Sequence, residues 1–357
     1  MIPPPVYSMR AHVAHRYVAE ILTEGATPLA TVPLDRLDWV PAIECAHFAQ
    51  LRKGTAASSA ELCEATICPA WDGAAGAPYV AHFDVAFKAA DPRSDPIPLQ
   101  YLAGPVQVAV SALVKAGKIE AGRKYRWRLC AYHAARAART PSSHEEPFRV
   151  EETSTPLPQP APRSLPDLLA RAQLCGPAPV ANGPADFPVF VAAHVLQEAA
   201  ATAIAGGEHE AGGILLGRLA RDRACGDLLL EVTAQVPARE AIADDASLRF
   251  TPDTWKAVDG AIRLRRLNEQ IVGWYHSHPA ALWLCRNCEP ERRALCPSNS
   301  AFFSTMDVCF HRTAFQAAHN VALLLSFHAD PQPRFDLFGW RGGLVAGRGY
   351  YTIEAPK

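Results

Sequence analysis

The sequence Ile-Val-Gly-Trp-Tyr-His-Ser-His-Pro occupies residues 271–279. Its apolar start predicts a buried strand, and Pro279 ends that strand because proline has no backbone N–H to donate to a sheet. Side chains two apart in a strand share a face, so His276 and His278 can reach one metal ion while Ser277 points away. The stretch therefore predicts half of a metal site at the end of a strand.

A third ligand is needed, because a hydrolytic zinc ion usually takes three protein ligands and keeps one position for water. Residues 304–307 read Ser-Thr-Met-Asp, in which Ser304 can cap a helix and Asp307 falls in its first turn. Upstream, residues 210–217 read Glu-Ala-Gly-Gly-Ile-Leu-Leu-Gly and place Glu210 at the start of another apolar strand. The motifs follow one another as Glu, His-x-His-Pro and Ser-x-x-Asp.

This order of motifs resembles that of the JAB/MPN/Mov34 metalloprotease family, whose active members carry the JAMM signature. The resemblance covers about half of the chain, roughly residues 186–353. It implies a JAB/MPN-like α-β-α domain with a cytidine-deaminase-like layered sheet. Members of the family cleave isopeptide or peptide bonds that follow ubiquitin or ubiquitin-like proteins.

The resemblance also implies a role for each of five side chains. His276, His278 and Asp307 would bind Zn²⁺, Glu210 would handle the proton of the metal-bound water, and Ser304 would help to hold the developing oxyanion. The residue types suit this chemistry by themselves. Two neutral imidazoles and one carboxylate leave the ion with a net positive charge, which lowers the pKa of bound water towards ~7. A carboxylate that does not bind the metal can accept that proton and pass it to the leaving amine.

The catalytic carboxylate has an alternative. Glu208 and Glu210 are two residues apart and would share a strand face, so their spacing does not separate them. Glu210 fits the family's Glu-x-x-Gly-Ile-Leu pattern, whereas Glu208 lies closer to the glycine pair at residues 206–207, which is typical of a helix end. We therefore assign the catalytic role to Glu210.

The third metal ligand has alternatives as well. Residues 280–303 separate the histidine motif from the serine motif, where the family has a much shorter loop. Glu289 or Glu291 could in principle supply the carboxylate instead of Asp307. Neither has a serine three residues earlier, so Asp307 is preferred.

The long segment 280–303 contains Cys285, Cys288 and Cys296, and Cys309 follows two residues after Asp307. A Cys-x-x-Cys pair with further cysteines is typical of a structural zinc site, so a second Zn²⁺ bound by these four thiols is one hypothesis. Reduced thiols and a disulfide are the alternatives. The segment would lie beside the active site and could shape which substrate enters.

The chain divides at a proline-rich stretch. Residues 153–162 read Thr-Ser-Thr-Pro-Leu-Pro-Gln-Pro-Ala-Pro, which predicts an extended polyproline linker. We predict an accessory mixed α+β domain over residues 1–150, a linker with one short helix over 151–187, and a metalloprotease domain with alternating strands and helices over 188–357.

The predicted accessory domain resembles no family that we recognise. Alternating apolar residues predict strands near residues 79–87 and 125–131, and a helix is predicted over 105–116. We expect this domain to recruit a substrate or partner.

Composition indicates which partners and which cellular location to expect. The formal net charge of −1 argues against a nucleic-acid-binding surface. No stretch reads as a transmembrane span and the N-terminus lacks the apolar core of a signal peptide, so we expect a cytoplasmic protein whose ten cysteines are reduced or metal-bound. Most of the 35 basic residues are arginine and alanine is abundant, which suggests a GC-rich bacterial genome.

These observations favour a zinc-dependent peptidase or isopeptidase that processes or deconjugates a ubiquitin-like protein in a bacterial pathway. Its expected partners are that protein or its conjugates, together with activating and conjugating enzymes of the same operon. A non-catalytic MPN scaffold is one alternative, although it predicts the loss of a ligand and this chain retains them all. Hydrolysis of a small amide or of a carrier-protein linkage is the other.

Overall fold

The computed structural model describes eleven segments of the chain, which are residues 10–13, 15–53, 64–72, 79–87, 96–133, 160–176, 186–238, 242–244, 247–278, 303–327 and 333–354. Tertiary contacts divide the chain into two compact units, one containing Pro5–Leu157 and the other Pro158–Lys357. Within the described segments, no helix has both the length and the apolar character needed to cross a membrane. Helices and strands occur in both units, so the chain is a mixed α/β protein.

The N-terminal unit contains two small sheets and two helices. Its elements are β1 Arg10–Val13, β2 His15–Leu22, β3 Pro28–Leu34, α1 Val40–Lys53, β4 Glu64–Trp71, β5 Val80–Phe87, β6 Ile97–Pro98, α2 Ala103–Lys115 and β7 Arg126–His133. One sheet has the order β1-β4-β5-β6 and the other β3-β2-β7, and a bridge between Tyr79 and Cys130 joins them. Four aromatic side chains form the centre of the core, namely Tyr17, Trp39, Phe83 and Tyr101.

The predicted elements of this unit are present. Strand β5 covers the pattern at residues 79–87, β7 covers that at 125–131, and α2 includes most of residues 105–116. Helix α1 has no counterpart in the sequence prediction, because its buried residues lie on several faces and leave no clear apolar stripe.

The C-terminal unit is built around one large sheet. Its elements are β8 Ala161–Arg163, α3 Leu165–Ala170, β9 Ala172–Cys175, β10 Val189–Ala192, α4 Ala193–Gly206, β11 Gly212–Asp222, β12 Leu228–Pro237, β13 Ile242–Asp244, β14 Ser247–Arg249, α5 Pro252–Arg265, β15 Gln270–His278, α6 Thr305–Ala314, β16 Val321–Ser326, β17 Arg334–Arg341, β18 Leu344–Arg348 and β19 Tyr350–Ile353. The strand order is β18-β17-β16-β15-β11-β12-β10-β19-β9, and β8 pairs with β11.

Strand β15 lies in the middle of this sheet. It pairs antiparallel with β11 and parallel with β16, and every residue of β16 is buried. Burial on both faces explains why these strands read as apolar runs rather than as alternating patterns. The histidine-bearing strand is therefore held by neighbours along both edges.

Helices pack against both faces of β15. On one face, Trp274 belongs to a core cluster with Val258 of α5 and with Phe315, which follows α6. On the other face, the Tyr275 hydroxyl donates to Oε1 of Gln235, 2.7 Å away, and the Gln235 amide donates to Glu198 of α4. The metal-ligand candidates thus lie on the face that α5 and α6 cover.

Part of the segment 151–187, which the sequence predicts to be a linker, belongs to the folded C-terminal unit. Residues 160–176 belong to the large sheet, since β8 pairs parallel with β11 and β9 pairs antiparallel with β19. The one short helix predicted within residues 151–187 corresponds to α3, which ends at Ala170. Proline is tolerated in a strand this short because few ladder hydrogen bonds need its missing N–H. Residues 151–159 and 177–185 lie outside the described segments.

Two polar contacts hold this segment in place. The Arg163 guanidinium lies 3.2 Å from the Glu231 carboxylate on β12, and the Leu165 N–H donates to Asp222 on β11, 2.8 Å away. The pattern of prolines hid these contacts, because both carboxylates lie about 60 residues further along the chain.

We expect Gly213→Ala to destabilise the protein by about 1–3 kcal/mol, because overpacking a tightly packed core carries a cost of this size. A Cβ atom at Gly213 would lie 2.7 Å from Cε1 of Tyr275 and would also collide with the carbonyl oxygen of Val236. Urea unfolding followed by far-UV circular dichroism measures the change. Gly260→Ala in α5 is the control: its Cβ would meet none of the described atoms within 4 Å, and it should stabilise the helix by about 0.5–1 kcal/mol. Unchanged stability in Gly213→Ala would contradict the predicted clash.

Candidate metal centre

The two histidines of β15 lie together as their spacing predicts. His276 and His278 are both buried, and their Nε2 atoms are 3.1 Å apart. Ser277 lies between them on the opposite face, where its Oγ accepts a hydrogen bond from the Ala211 N–H at 2.9 Å. The Nε2 atoms of both imidazoles can therefore face a single ion.

Asp307 reaches these histidines from the first turn of α6. The helix begins with a capping box, in which the Ser304 Oγ accepts from the Asp307 N–H and the Ser304 N–H donates to the Asp307 Oδ2 at 2.8 Å. This leaves Oδ1 of Asp307 3.4 Å from Nε2 of His276. The cap thus fixes one carboxylate oxygen and directs the other at the histidines.

The distances between these three groups suit a tetrahedral zinc ion. One ligand atom from each of His276, His278 and Asp307 lies within 4.8 Å of the others, and among the described residues no other group of His, Cys, Asp and Glu meets this criterion. Zinc–nitrogen and zinc–oxygen bonds of 2.0–2.1 Å place neighbouring tetrahedral ligands about 3.3 Å apart. The separations of 3.1 and 3.4 Å match that value.

The protonation states of the site suit a cation. Burial, together with the neighbouring His276, lowers the pKa of His278 to about 3, against the opposing effect of Asp307. Burial works to raise the pKa of Asp307, but the hydrogen bond and charge of His276 and the hydrogen bonds from Ser304 lower it to about 2. At neutral pH the chain therefore presents a neutral imidazole and an ionised carboxylate, which are the forms that bind zinc.

Glu210 lies just before β11, where the register of β11 and β15 can be continued. Gly212 pairs with His276, and the Ser277 N–H donates to the Ala211 carbonyl at 2.8 Å, so the same register puts Glu210 opposite His278. Directly opposite residues of an antiparallel pair share a face. Glu210 is only 6% exposed, a degree of burial that needs compensating partners for an ionised carboxylate.

Burial separates the two glutamates that spacing alone leaves equivalent. Glu208 is exposed in the turn between α4 and β11, whereas Glu210, two residues before β11, is buried. The structure thus distinguishes their environments, and the catalytic role of Glu210 remains a prediction.

Two residues that the sequence analysis does not single out contact the site. The Trp274 ring stacks on the His276 ring, with centroids 4.7 Å apart, and the Trp274 indole N–H donates to Nδ1 of His311 at 3.2 Å. His311 lies on α6, four residues after Asp307. That i, i+4 spacing was the available sequence signal, since it puts both side chains on one helix face.

Most residues of the predicted cysteine site lie outside the described segments. Cys285, Cys288 and Cys296 lie there, as do Glu289 and Glu291. Cys309 is described and is exposed on α6. It is two residues from Asp307, and two helix positions are about 200° apart, so its thiol points away from the histidines. A second zinc site at these thiols therefore remains a prediction.

Comparison with known proteins supports the resemblance. Residues 192–282 match the family model of prokaryotic homologs of the JAB domain, which confirms the relationship predicted for the C-terminal half. This range includes Glu210, His276 and His278, and it ends before Ser304 and Asp307.

No curated protein matches the chain. Among the solved structures that match is the solution structure of protein DSY2949 from Desulfitobacterium hafniense, with 20% sequence identity and a TM-score of 0.31; the match covers 47% of this chain and 94% of that chain.

Zinc content should separate the alternatives for the cysteines. We expect one ion per chain at the three-ligand site, and we expect His276→Ala to remove it because two ligands are too few to retain it. Atomic absorption on the purified full chain measures the stoichiometry. A second ion that is lost in the double variant Cys285→Ser/Cys288→Ser would establish the thiol site, whereas one ion in both proteins would exclude it.

Acid should destabilise the metal-free protein in part through His311. Burial lowers the pKa of this histidine to about 3, so between pH 6.5 and pH 4 the unfolded chain takes up a proton that the folded chain does not. Stability then falls as the pH falls, by about 1.4 kcal/mol per pH unit for each such proton. Urea unfolding at several pH values in this range gives the slope of the unfolding free energy against pH. In His311→Gln this slope should be smaller by the contribution of one proton.

The matched control is His209→Gln, which changes an exposed histidine. Its slope should equal that of the unmodified protein because the change leaves His311 and its surroundings intact. Equal slopes in the unmodified protein and His311→Gln would contradict the prediction.

Proposed function

Because residues 192–282 match the prokaryotic JAB domain, we propose that the C-terminal unit is a zinc-dependent peptidase or isopeptidase. Its proposed substrate is a ubiquitin-like protein, either as a precursor or as a conjugate. Helices on both faces of the large sheet are compatible with the layered α-β-α arrangement that the resemblance implies. The family match is also compatible with a non-catalytic member, so the proposal depends on the geometry of the site.

The convergence of His276, His278 and Asp307 carries the proposal. Two buried imidazoles and one carboxylate would hold the ion with a net positive charge, and three protein ligands would leave a fourth position for water or substrate. A purely structural zinc site is usually closed by four protein ligands, most of them cysteines. The donor set therefore favours chemistry at the metal.

A zinc ion held by these residues would supply Lewis-acid chemistry, polarising the scissile carbonyl and making water acidic enough to lose a proton near neutral pH. Glu210 would accept that proton at a carboxylate oxygen, a role supported by the register of β11 and β15, which continues to a position opposite His278, and by its absence from the three ligands. It would then deliver the proton to the departing amine, which an amide bond needs because an unprotonated amine leaves poorly.

Ser304 has a hydroxyl proton that its helix cap does not use. In the capping box the Ser304 Oγ acts as an acceptor for the Asp307 N–H, so the O–H remains available as a donor. We propose that it donates to the oxygen that becomes negatively charged during amide cleavage. Such a donor, fixed in advance at a helix N-terminus, stabilises developing charge without reorganisation.

The proposed partners and setting derive from composition and from the resemblance. A ubiquitin-like substrate implies activating and conjugating enzymes that attach it, and the arginine-rich composition favours a bacterial pathway in the cytoplasm. The N-terminal unit is the proposed recruiter of one of these partners.

Glu210→Gln should abolish cleavage while zinc stays bound, because the amide cannot accept a proton and Glu210 is not a ligand. Glu208→Gln, two residues away and exposed, is the matched control and should retain full activity. His276→Ala and Asp307→Ala should lose both zinc and activity. The measurements are zinc content and cleavage of a panel of bacterial ubiquitin-like proteins that carry a C-terminal amide-linked fluorophore, alongside a lysine-linked conjugate.

Three outcomes discriminate between the functions. Activity that falls in Glu210→Gln and persists in Glu208→Gln would support the proposal. Full activity in Glu210→Gln would overturn the proton-transfer role. A protein that binds zinc and hydrolyses a small amide, but cleaves none of the ubiquitin-like probes, would favour the small-molecule hydrolase.

A further inference from the structure

Among the described residues, Nδ1 of His276 has no hydrogen-bond partner, although this atom is buried. Histidines that bind a metal through Nε2 usually donate the Nδ1 proton to a carboxylate or carbonyl, which fixes the tautomer and the ring orientation. Among the described residues, the contact that can orient this imidazole is therefore of another kind.

Trp274 makes that contact. It lies two residues before His276 on the same face of β15, and the two rings are almost parallel, with an interplanar angle of 14° and centroids 4.7 Å apart. A flat stack of this kind restricts rotation of the imidazole about its side-chain bonds. The orientation of His276 thus depends on the orientation of the indole.

The indole is fixed in turn by His311. Its N–H can only donate, so Nδ1 of His311 must be the acceptor at 3.2 Å and Nε2 must carry the proton. His311 is 0% exposed, and its Nε2 has no hydrogen-bond partner among the described residues. A buried polar group without a partner is destabilising, a penalty that an apolar residue at this position would avoid.

His311 also connects the indole to the third ligand. It lies one helical turn after Asp307 on α6, so one face of the helix carries both side chains. The hydrogen bond from Trp274 therefore links the strand that carries two ligands to the helix that carries the third. Aromatic neighbours surround this link, including Phe310, whose ring meets the Trp274 ring edge-on at 4.8 Å.

We propose that His311 and Trp274 are positioning residues of the metal centre, which hold the His276 ring and helix α6 at the separation that the ion needs. The inference rests on the metal site of the proposed function and does not depend on which substrate is cleaved. It assigns neither residue contact with the metal or the substrate.

Co²⁺ affinity and absorption test this proposal on the full chain. His311→Leu removes the acceptor and should weaken Co²⁺ binding by about 10-fold to 100-fold, the range found when groups that orient metal ligands are removed. The ligand-field spectrum of bound Co²⁺ should shift because the ligand geometry relaxes. His311→Gln should restore both properties towards those of the unmodified protein, since its amide oxygen can accept the indole hydrogen bond.

A double-variant cycle tests whether the two residues act together. Trp274→Phe keeps an aromatic ring but lacks the N–H, so it should weaken Co²⁺ binding to a similar degree. Adding His311→Leu to Trp274→Phe should then cause little further loss. Losses that multiply in the double variant would contradict the proposed link.

Phe310→Leu is the control for general loss of packing. It removes an aromatic contact with Trp274 without removing a hydrogen bond, so it should lower the free energy of unfolding and leave the Co²⁺ spectrum unchanged. A spectrum in Phe310→Leu that shifts as much as in His311→Leu would show that packing alone determines the geometry, and would overturn the proposal.

The outcomes also separate this inference from the proposed function. Unaltered Co²⁺ affinity and spectrum in His311→Leu would overturn the positioning role while the metal centre stands. An unmodified protein that binds Co²⁺ but cleaves no probe would contradict the peptidase function alone, and weakened binding in His311→Leu would still support positioning. An unmodified protein that binds no Co²⁺ would overturn both.

Discussion

The antiparallel pairing of β11 with β15 is the constraint on which the rest of the site depends. It fixes which face His276 and His278 share, and its extension through Ala211 and Ser277 brings Glu210 opposite His278. A shift of one residue in this pairing would turn Glu210 to the other face of the sheet, because side chains alternate. Backbone hydrogen bonds between the two strands thus set the position of the proposed base relative to the metal ligands.

The position of the third ligand, Asp307, depends on a helix cap. Asp307 serves helix α6 as the N3 residue of a capping box, and the same carboxylate faces His276 with its second oxygen. Asp307 therefore belongs both to the helix cap and to the metal site. Ser304 is its partner in the cap, so Ser304 affects the geometry of this ligand independently of any contact with a substrate. The Trp274–His311 hydrogen bond then ties this helix to β15 a turn further along.

Much of the C-terminal fold could be predicted from local patterns. Apolar runs predict β11 and β15, and the capping residue Ser304 predicts the start of α6. Strands β8 and β9 escaped prediction because their pairing partners are distant in sequence, and because β8 lies in a proline-rich stretch that is typical of a linker. Tertiary contacts such as that between Arg163 and Glu231 outweighed that local preference.

The sequence by itself determined the types and order of the metal-site residues, because strand periodicity and helix capping act over only two to four residues. It predicted that His276 and His278 share a face and that Asp307 follows a cap. Only the tertiary structure decided that these groups converge, that Glu210 is buried while Glu208 is exposed, and that His311 accepts the Trp274 indole. These features arise from strand register and from helix packing across the sheet, which join residues far apart in the chain.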